Sequence, residues 1–129
     1  MAYGYFVILE KLPSLNEVIN KNRANRHAGN KYKQDIEARI CMYIQDYVRK
    51  GNLSPMGESP CVIHITWHER TKRRDVDNIQ SAQKFILDAL QKSGIILNDS
   101  RKYVRQIHHE VVDDVTDGVF VEIKECGLT

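Results

Sequence analysis

The sequence predicts a single-domain α+β fold of α/β-sandwich type. A mixed sheet of about four strands packs against two main helices, in the order β-α-β-α-β-β. Three observations predict it. Apolar runs of strand length alternate with stretches of helical periodicity, the chain closes on two adjacent strand-like runs, and 129 residues suit one core. Two consecutive strands argue for an antiparallel pair within a mixed sheet covered by helices. The composition, 42% hydrophobic and 28% charged, excludes gross disorder.

Residues 5–9 (Tyr-Phe-Val-Ile-Leu) read as a buried strand, ended by Pro13. Residues 14–34 are polar and rich in Asn and Lys; part of the stretch is helical without visible boundaries, and Gly29-Asn30 reads as a turn. From residue 35 to 49, Ile36, Ile40, Tyr43, Ile44, Tyr47 and Val48 recur at helical spacing, and residues 51–55 (Gly-Asn-Leu-Ser-Pro) stop that helix. Residues 61–67 alternate as a strand, with Ile63, Ile65 and Trp67 on one face and Val62, His64 and Thr66 on the other. Asp77 and Gln80, at capping-box spacing, open a second helix running to about Ser93. Ile79, Ala82, Phe85, Ile86, Ala89 and Leu90 form its apolar arc, and Gly94 closes it. Strands follow at about 103–112 and 119–124, joined by an acidic turn in which Asp117-Gly118 signals a hairpin.

No run approaches the ~18 apolar residues of a membrane span, and the start lacks the basic region and long apolar block of a signal peptide. Cys41, Cys61 and Cys126 form no CxxC motif and leave an odd thiol, so a reducing cytoplasm is the expected compartment. The net charge of +2 conceals a split. Residues 1–109 carry 18 Lys and Arg against 11 Asp and Glu, a net of +7, while residues 110–129 carry Lys124 against six acids, a net of −5. One basic cluster holds Lys21, Arg23, Arg26, Lys31 and Lys33; the other is Arg70, Lys72, Arg73 and Arg74. Either alone is an ordinary solvated surface. Together, bracketing a set of carboxylates, they point to nucleic acid.

Those carboxylates are Asp75 and Asp77, with Asp99 in the turn after Gly94. Were residues 75–77 extended, both side chains would point the same way and share one cation. Hard oxygen ligands suit Mg²⁺. Lys84, two helical turns beyond Asp77 and leaning back towards it, would place an ammonium near a bound phosphate; its plain alternative is a surface pair with Asp88. Singly, Asp77 is a helix cap, Asp99 a turn residue and Asp75 a surface partner of arginine. His64, His68, His108 and His109 lack metal-site spacing and read as structural or surface groups, His27 as a group within DNA reach, and Trp67 as core.

The segments Lys72-Arg-Arg-Asp-Val-Asp-Asn78, Lys84-Phe-Ile-Leu-Asp-Ala-Leu90, Lys92-Ser-Gly94 and Asn98-Asp99 together resemble the signature of the RusA-type Holliday junction resolvases, in their phage and prophage form. The stretches 12–17, 22–26 and 29–33 are similar to the amino-terminal part of that branch. The resemblance implies a homodimeric, Mg²⁺-dependent endonuclease, with Mn²⁺ as a substitute, that cuts branched DNA such as four-way junctions. No nucleotide cofactor and no membrane partner are expected. It places the metal-binding aspartates on Asp75, Asp77 and Asp99, and the catalytic lysine on Lys84 by counting back from Asp-Ala-Leu. Ser81 occupies the position that lysine takes in another branch. Asn78 and Arg74 match polar and basic neighbours of the aspartates, and a paired carboxylate seen in some members is Asn98 here. Arg23, Arg26, Lys31, Lys33, Lys72, Arg73, Arg74 and Asn78 are the expected DNA contacts. Two other readings fit the same residues: a branched-DNA binder without catalysis, and a nuclease acting on flaps.

Overall fold

A computed structural model describes residues 3–126. Its elements run β1 (Tyr3–Ile8), α1 (Leu15–Ala24), α2 (Arg26–Arg49), β2 (Cys61–Glu69), α3 (Val76–Gln80), α4 (Gln83–Lys92), β3 (Val104–Asp113) and β4 (Gly118–Glu125). The four strands form one mixed sheet in the order β1-β4-β2-β3. β4 lies antiparallel to both β1 and β2, whereas β2 and β3 are parallel, as a strand–helix–strand crossover requires. The predicted class and strand number are therefore present, but the expected hairpin of the last two strands is not. β3 pairs in parallel with β2 at the sheet's edge, and the acidic turn carries the chain across β2, so that β4 lies between β2 and β1 and does not pair with β3.

Alternation sets the two faces of the sheet. Phe6, Ile8, Ile63, Ile65, Trp67, Val119, Val121 and Ile123 are buried beneath the helices together with Ile36, Ile40 and Ile44 of α2 and Phe85, Ile86 and Leu90 of α4. The opposite face carries Tyr5, Val7, His64, Thr66, Phe120 and Glu122, none of them fully buried. Trp67 is core, as expected, at 1% exposure. Its indole N–H donates to His109 Nδ1 at 2.9 Å, and His109 Nε2 meets the Gln83 amide oxygen at 2.8 Å. That pairing fixes His109 as the neutral Nε2–H tautomer. Burial, and then His108 beside it, lower its pKa.

The polar stretch 14–34 departs from its expected reading. It forms a helical hairpin, and the second helix begins nine residues before the expected start, so Gly29-Asn30 lies within α2 and makes no turn. Ser14 caps α1 by accepting the Glu17 N–H at 3.2 Å, and Asn25 caps α2 by accepting from Ala28 at 3.1 Å. Gly29 stands where the two helices cross: a Cβ there would fall 2.5 Å from Asn22 Cα. Its role is close helix approach. The absent side chain, which resembles a turn signal in one dimension, is a packing notch in three.

Candidate functional site

The site grows from the end of β2. Inward-facing positions of this strand are odd-numbered, so Glu69 follows Trp67 into the interior and is 5% exposed. A buried carboxylate needs a paired cation. Arg74 supplies it: Nε and Nη2 donate to the two Glu69 oxygens at 3.0 and 2.7 Å, and Nη1 donates to the Leu12 carbonyl at 2.9 Å. The loop 70–75 is thus pinned from behind, to its own strand and to the chain leaving β1. The strand parity was the available signal for Glu69, which the sequence reading passed over.

The acidic turn between β3 and β4 docks on the same loop. Asp117 accepts the Arg70 N–H at 2.9 Å, and the Asp114 N–H donates to the Glu69 carbonyl at 3.0 Å. Asp114 also contacts His68 Nδ1 at 2.8 Å, and the Val115 N–H followed by His68 holds its carboxyl below the usual range. Lys72 reaches Asp113 only loosely, at 3.9 Å. The side chains of Arg70 and Arg73 have no partner among the described residues and face solvent.

Asp75 leaves this loop as the N-cap of α3, extended at φ −75° and ψ 158°, and its side chain makes no capping bond. Its carbonyl accepts the Ile79 N–H at 3.1 Å, whereas its carboxylate has no hydrogen bond or ion pair among the described residues. Asp77 accepts the N–H of Asn78 at 3.0 Å. Two expectations are corrected here. The helix begins at Val76, so Asp77 lies inside its first turn and does not cap it, and residues 75–77 are not one extended run. The helix is also not continuous to Ser93. The Ser81 hydroxyl donates to the Asn78 carbonyl at 2.6 Å and accepts the Leu15 N–H at 2.9 Å, and the chain breaks at 81–82 before α4 resumes. A serine bonded to its own helix's carbonyl competes with the helical ladder. Asn16 Nδ2 adds a longer contact to Asn78 Oδ1, at 3.4 Å. These bonds fasten the basic helical hairpin beside Asp77.

Asp99 is not brought to the other two acids within one chain. β2 and β3 are parallel, so α3 and α4 leave from the C-terminal end of β2 and return to the N-terminal end of β3. The turn bearing Asp99 packs there, with the Met56 N–H donating to Ile95 at 2.9 Å and Cys61 N–H to Tyr103 at 2.8 Å. The helices between them cover roughly 25 Å at ~1.5 Å per residue. Accordingly, among the described residues no three His, Cys, Asp or Glu side chains are grouped to hold a metal ion. Asp99, like Asp75, is exposed and has no partner among the described residues.

Lys84 Nζ lies 3.3 Å from Asp88, which also has Lys33 at 4.0 Å. Arg23 and Arg26 flank the α1–α2 junction and, with Lys31, are exposed. A cleft of about 450 Å³ lined by Lys33, Glu37, Asp88 and Lys92 includes neither Asp75 nor Asp77. The two acids sit on open surface, a form that suits an extended ligand better than a small molecule.

The family model described as endodeoxyribonuclease RusA matches residues 14–124 of this chain. The chain belongs to the RusA endodeoxyribonuclease family. A search of the curated proteins finds no match. The match spans every element from α1 to β4 and includes Asp75, Asp77, Lys84 and Asp99. Membership assigns endonucleolytic hydrolysis of DNA, and no helix among the described residues is long and apolar enough to cross a membrane.

Proposed function

We propose that the chain is a Mg²⁺-dependent homodimeric endonuclease that resolves four-way DNA junctions by paired cuts. The observation that carries this is Asp75: an exposed, unpartnered carboxylate, beside Asp77, on a loop made rigid from behind by Arg74 and Glu69. An acid left free at a pinned loop, among Arg70, Lys72 and Arg73, gains nothing for folding. It fits a cation that keeps several waters and takes few carboxylates. Mn²⁺ would serve in its place. When bound, the metal would polarise the scissile phosphate and activate the attacking water.

The donor set is incomplete in one protomer. We assign the third carboxylate to Asp99 of a second copy, because the crossover sends the two ends of α3–α4 to opposite ends of the parallel β2–β3 pair. A two-fold dimer then holds two equivalent sites, matched to the approximate symmetry of a four-way junction. Lys84, whose ion pair with Asp88 is open to solvent, would turn its ammonium to the phosphate and stabilise charge developing there. Arg23, Arg26, Lys31 and Lys33 on the helical hairpin, with Lys72, Arg73 and Asn78, would hold backbone phosphates and fix register without reading sequence. Arg74, with its donors committed to Glu69 and Leu12, positions Asp75 and does not grip DNA itself. Three free thiols support a cytoplasmic setting.

The test compares wild type with Asp75→Asn on labelled four-way, three-way and flapped DNA, with and without Mg²⁺. The reading expects wild type to nick the four-way junction symmetrically only with metal, and the variant to bind it without cutting. Metal-independent binding with no nicks from wild type would establish a DNA-binding module. Preferential cutting of flaps would assign a flap nuclease.

A further inference from the structure

We infer that the two copies join through the outer edge of β3, pairing antiparallel about a two-fold axis at His109 to make one eight-stranded sheet. The inference rests on the shared-site reading above and identifies the surface that builds it. β3 ends the strand order, and its ten residues pair with β2 on one side only, which leaves a long unpaired edge. Charges on an edge strand ordinarily repel a second strand. Here they are arranged so that a reversed copy brings opposite signs together.

Reading outward from His109, the sequence is complementary to itself. His108 meets Glu110 of the second copy, Ile107 meets Val111, Gln106 meets Val112 and Arg105 meets Asp113. Each pair forms twice. In antiparallel pairing directly opposed residues share a face, and each of these pairs joins two odd or two even positions, as that rule demands. Ile107 and Val111 are half-buried against the core, so their pairing continues the apolar layer across the seam. Arg105 is the extra residue of the bulge opposite Cys61 and Val62, at the ladder's end, and its long side chain is exposed. Its guanidinium donates only to the Arg101 carbonyl, at 3.1 Å, and Asp113 has only the loose contact with Lys72. Both are available to exchange partners. A register centred one residue earlier would instead set Gln106 against Glu110 and Arg105 against Val111, losing every opposite-charge pair.

The geometry also serves the site. Reversal about His109, which lies level with Ile65 of β2, sets the C-terminal end of one β2–β3 pair beside the N-terminal end of the other. The segment 70–77 of one copy then faces the turn that carries Asp99 in the second, on the helix-covered side of a continuous sheet.

A charge-swap mixing experiment tests this, read by sedimentation velocity without DNA or metal. Wild type should be a dimer. Arg105→Asp and Asp113→Arg, each alone, set like charges against each other at both ends of the ladder and should raise the dimer dissociation constant roughly tenfold or more. Mixing the two variants restores both pairs, so heterodimers should form with near wild-type affinity, as should the double variant with itself. Circular dichroism on each single variant confirms that the exposed substitutions leave the fold intact. A monomeric wild type, single variants that dimerise unimpaired, or a mixture that stays dissociated would overturn the β3 interface. If wild type nicks junctions while dimerising through another surface, only this interface fails; loss of Mg²⁺-dependent nicking itself removes the nuclease reading.

Discussion

Replacing Arg74 by Ala removes a cation whose every interaction is internal. The pair it forms with Glu69 is 11% and 5% exposed, so solvent screens it little, and the substitution strands a carboxylate in the interior. Breaking such a pair by deleting one partner costs ~3–5 kcal/mol. At about 3–4 °C per kcal/mol for a chain of this size, the midpoint of thermal unfolding should fall by roughly 10–20 °C. Arg73→Ala, one residue away and exposed, should stay within ~0.5 kcal/mol of wild type. A double substitution, Glu69→Leu with Arg74→Leu, should recover most of the loss, because the stranded charge is gone and apolar replacements of a buried pair are tolerated. It should nevertheless cut junctions more slowly than wild type, since the loop bearing Asp75 has lost its pin. Circular dichroism melts of the four proteins, followed by single-turnover cleavage at a temperature where all are folded, provide the readout. If Arg74→Ala melts no lower than Arg73→Ala, the claim that this arginine is a structural pin is wrong.

Gly29→Ala should destabilise the protein by ~1–3 kcal/mol through overpacking, despite a helix-propensity gain of up to ~1 kcal/mol, because the new Cβ would fall 2.5 Å from Asn22 Cα. A chemical denaturation curve shifted to higher midpoint would contradict the close crossing of α1 and α2. His109 gives a pH dependence. Its folded pKa lies below the ordinary imidazole value of 6.5, so the unfolded chain binds the extra proton first. Its contribution should be complete above about pH 6.5 and decline as pH falls from there towards the folded pKa. Stability measured from pH 7.5 to 5 should show that decline in wild type and a flatter profile in His109→Gln. Ser81→Ala should leave the Leu15 N–H without its acceptor, costing ~1 kcal/mol, and should increase hydrogen exchange at Leu15.

What the sequence made legible follows from periodicity. β2, β4 and α4 repeat their apolar residues at 2.0 or 3.6 over enough positions to be read directly, and alternation put Ile63, Ile65 and Trp67 on the buried face. The α1–α2 hairpin was obscured because its outward faces are Asn, Lys and Arg, leaving Val18 as the one buried residue of α1. Only the packing at Gly29 reveals two helices side by side. The break at Ser81 escaped notice for a related reason: Ser81 and Ala82 are compatible with a helix, and the acceptor role of Ser81 is set by Leu15, far away in the chain. In the candidate site, Asp75 and Asp77 were recognised by type and by their basic neighbours, but the geometry inferred for them, an extended pair, was not found. The convergence of Asp99 is a question of topology. Spacing could show that the chain comes back after α4; it could not show to which end of the sheet. The parallel pairing of β2 and β3 decides that, and it sets Asp99 at the opposite end of the strands from Asp75 and Asp77.

The division of the metal site between two subunits is tested most directly by mixing two dead variants, Asp75→Asn and Asp99→Asn, and assaying a four-way junction with Mg²⁺. In a heterodimer with shared sites, one site collects both substitutions and the other keeps every carboxylate. The mixture should therefore regain cutting, with a single nick per junction, while each variant alone stays inactive. A mixture as inactive as its components, under conditions where subunit exchange is demonstrated, would contradict it.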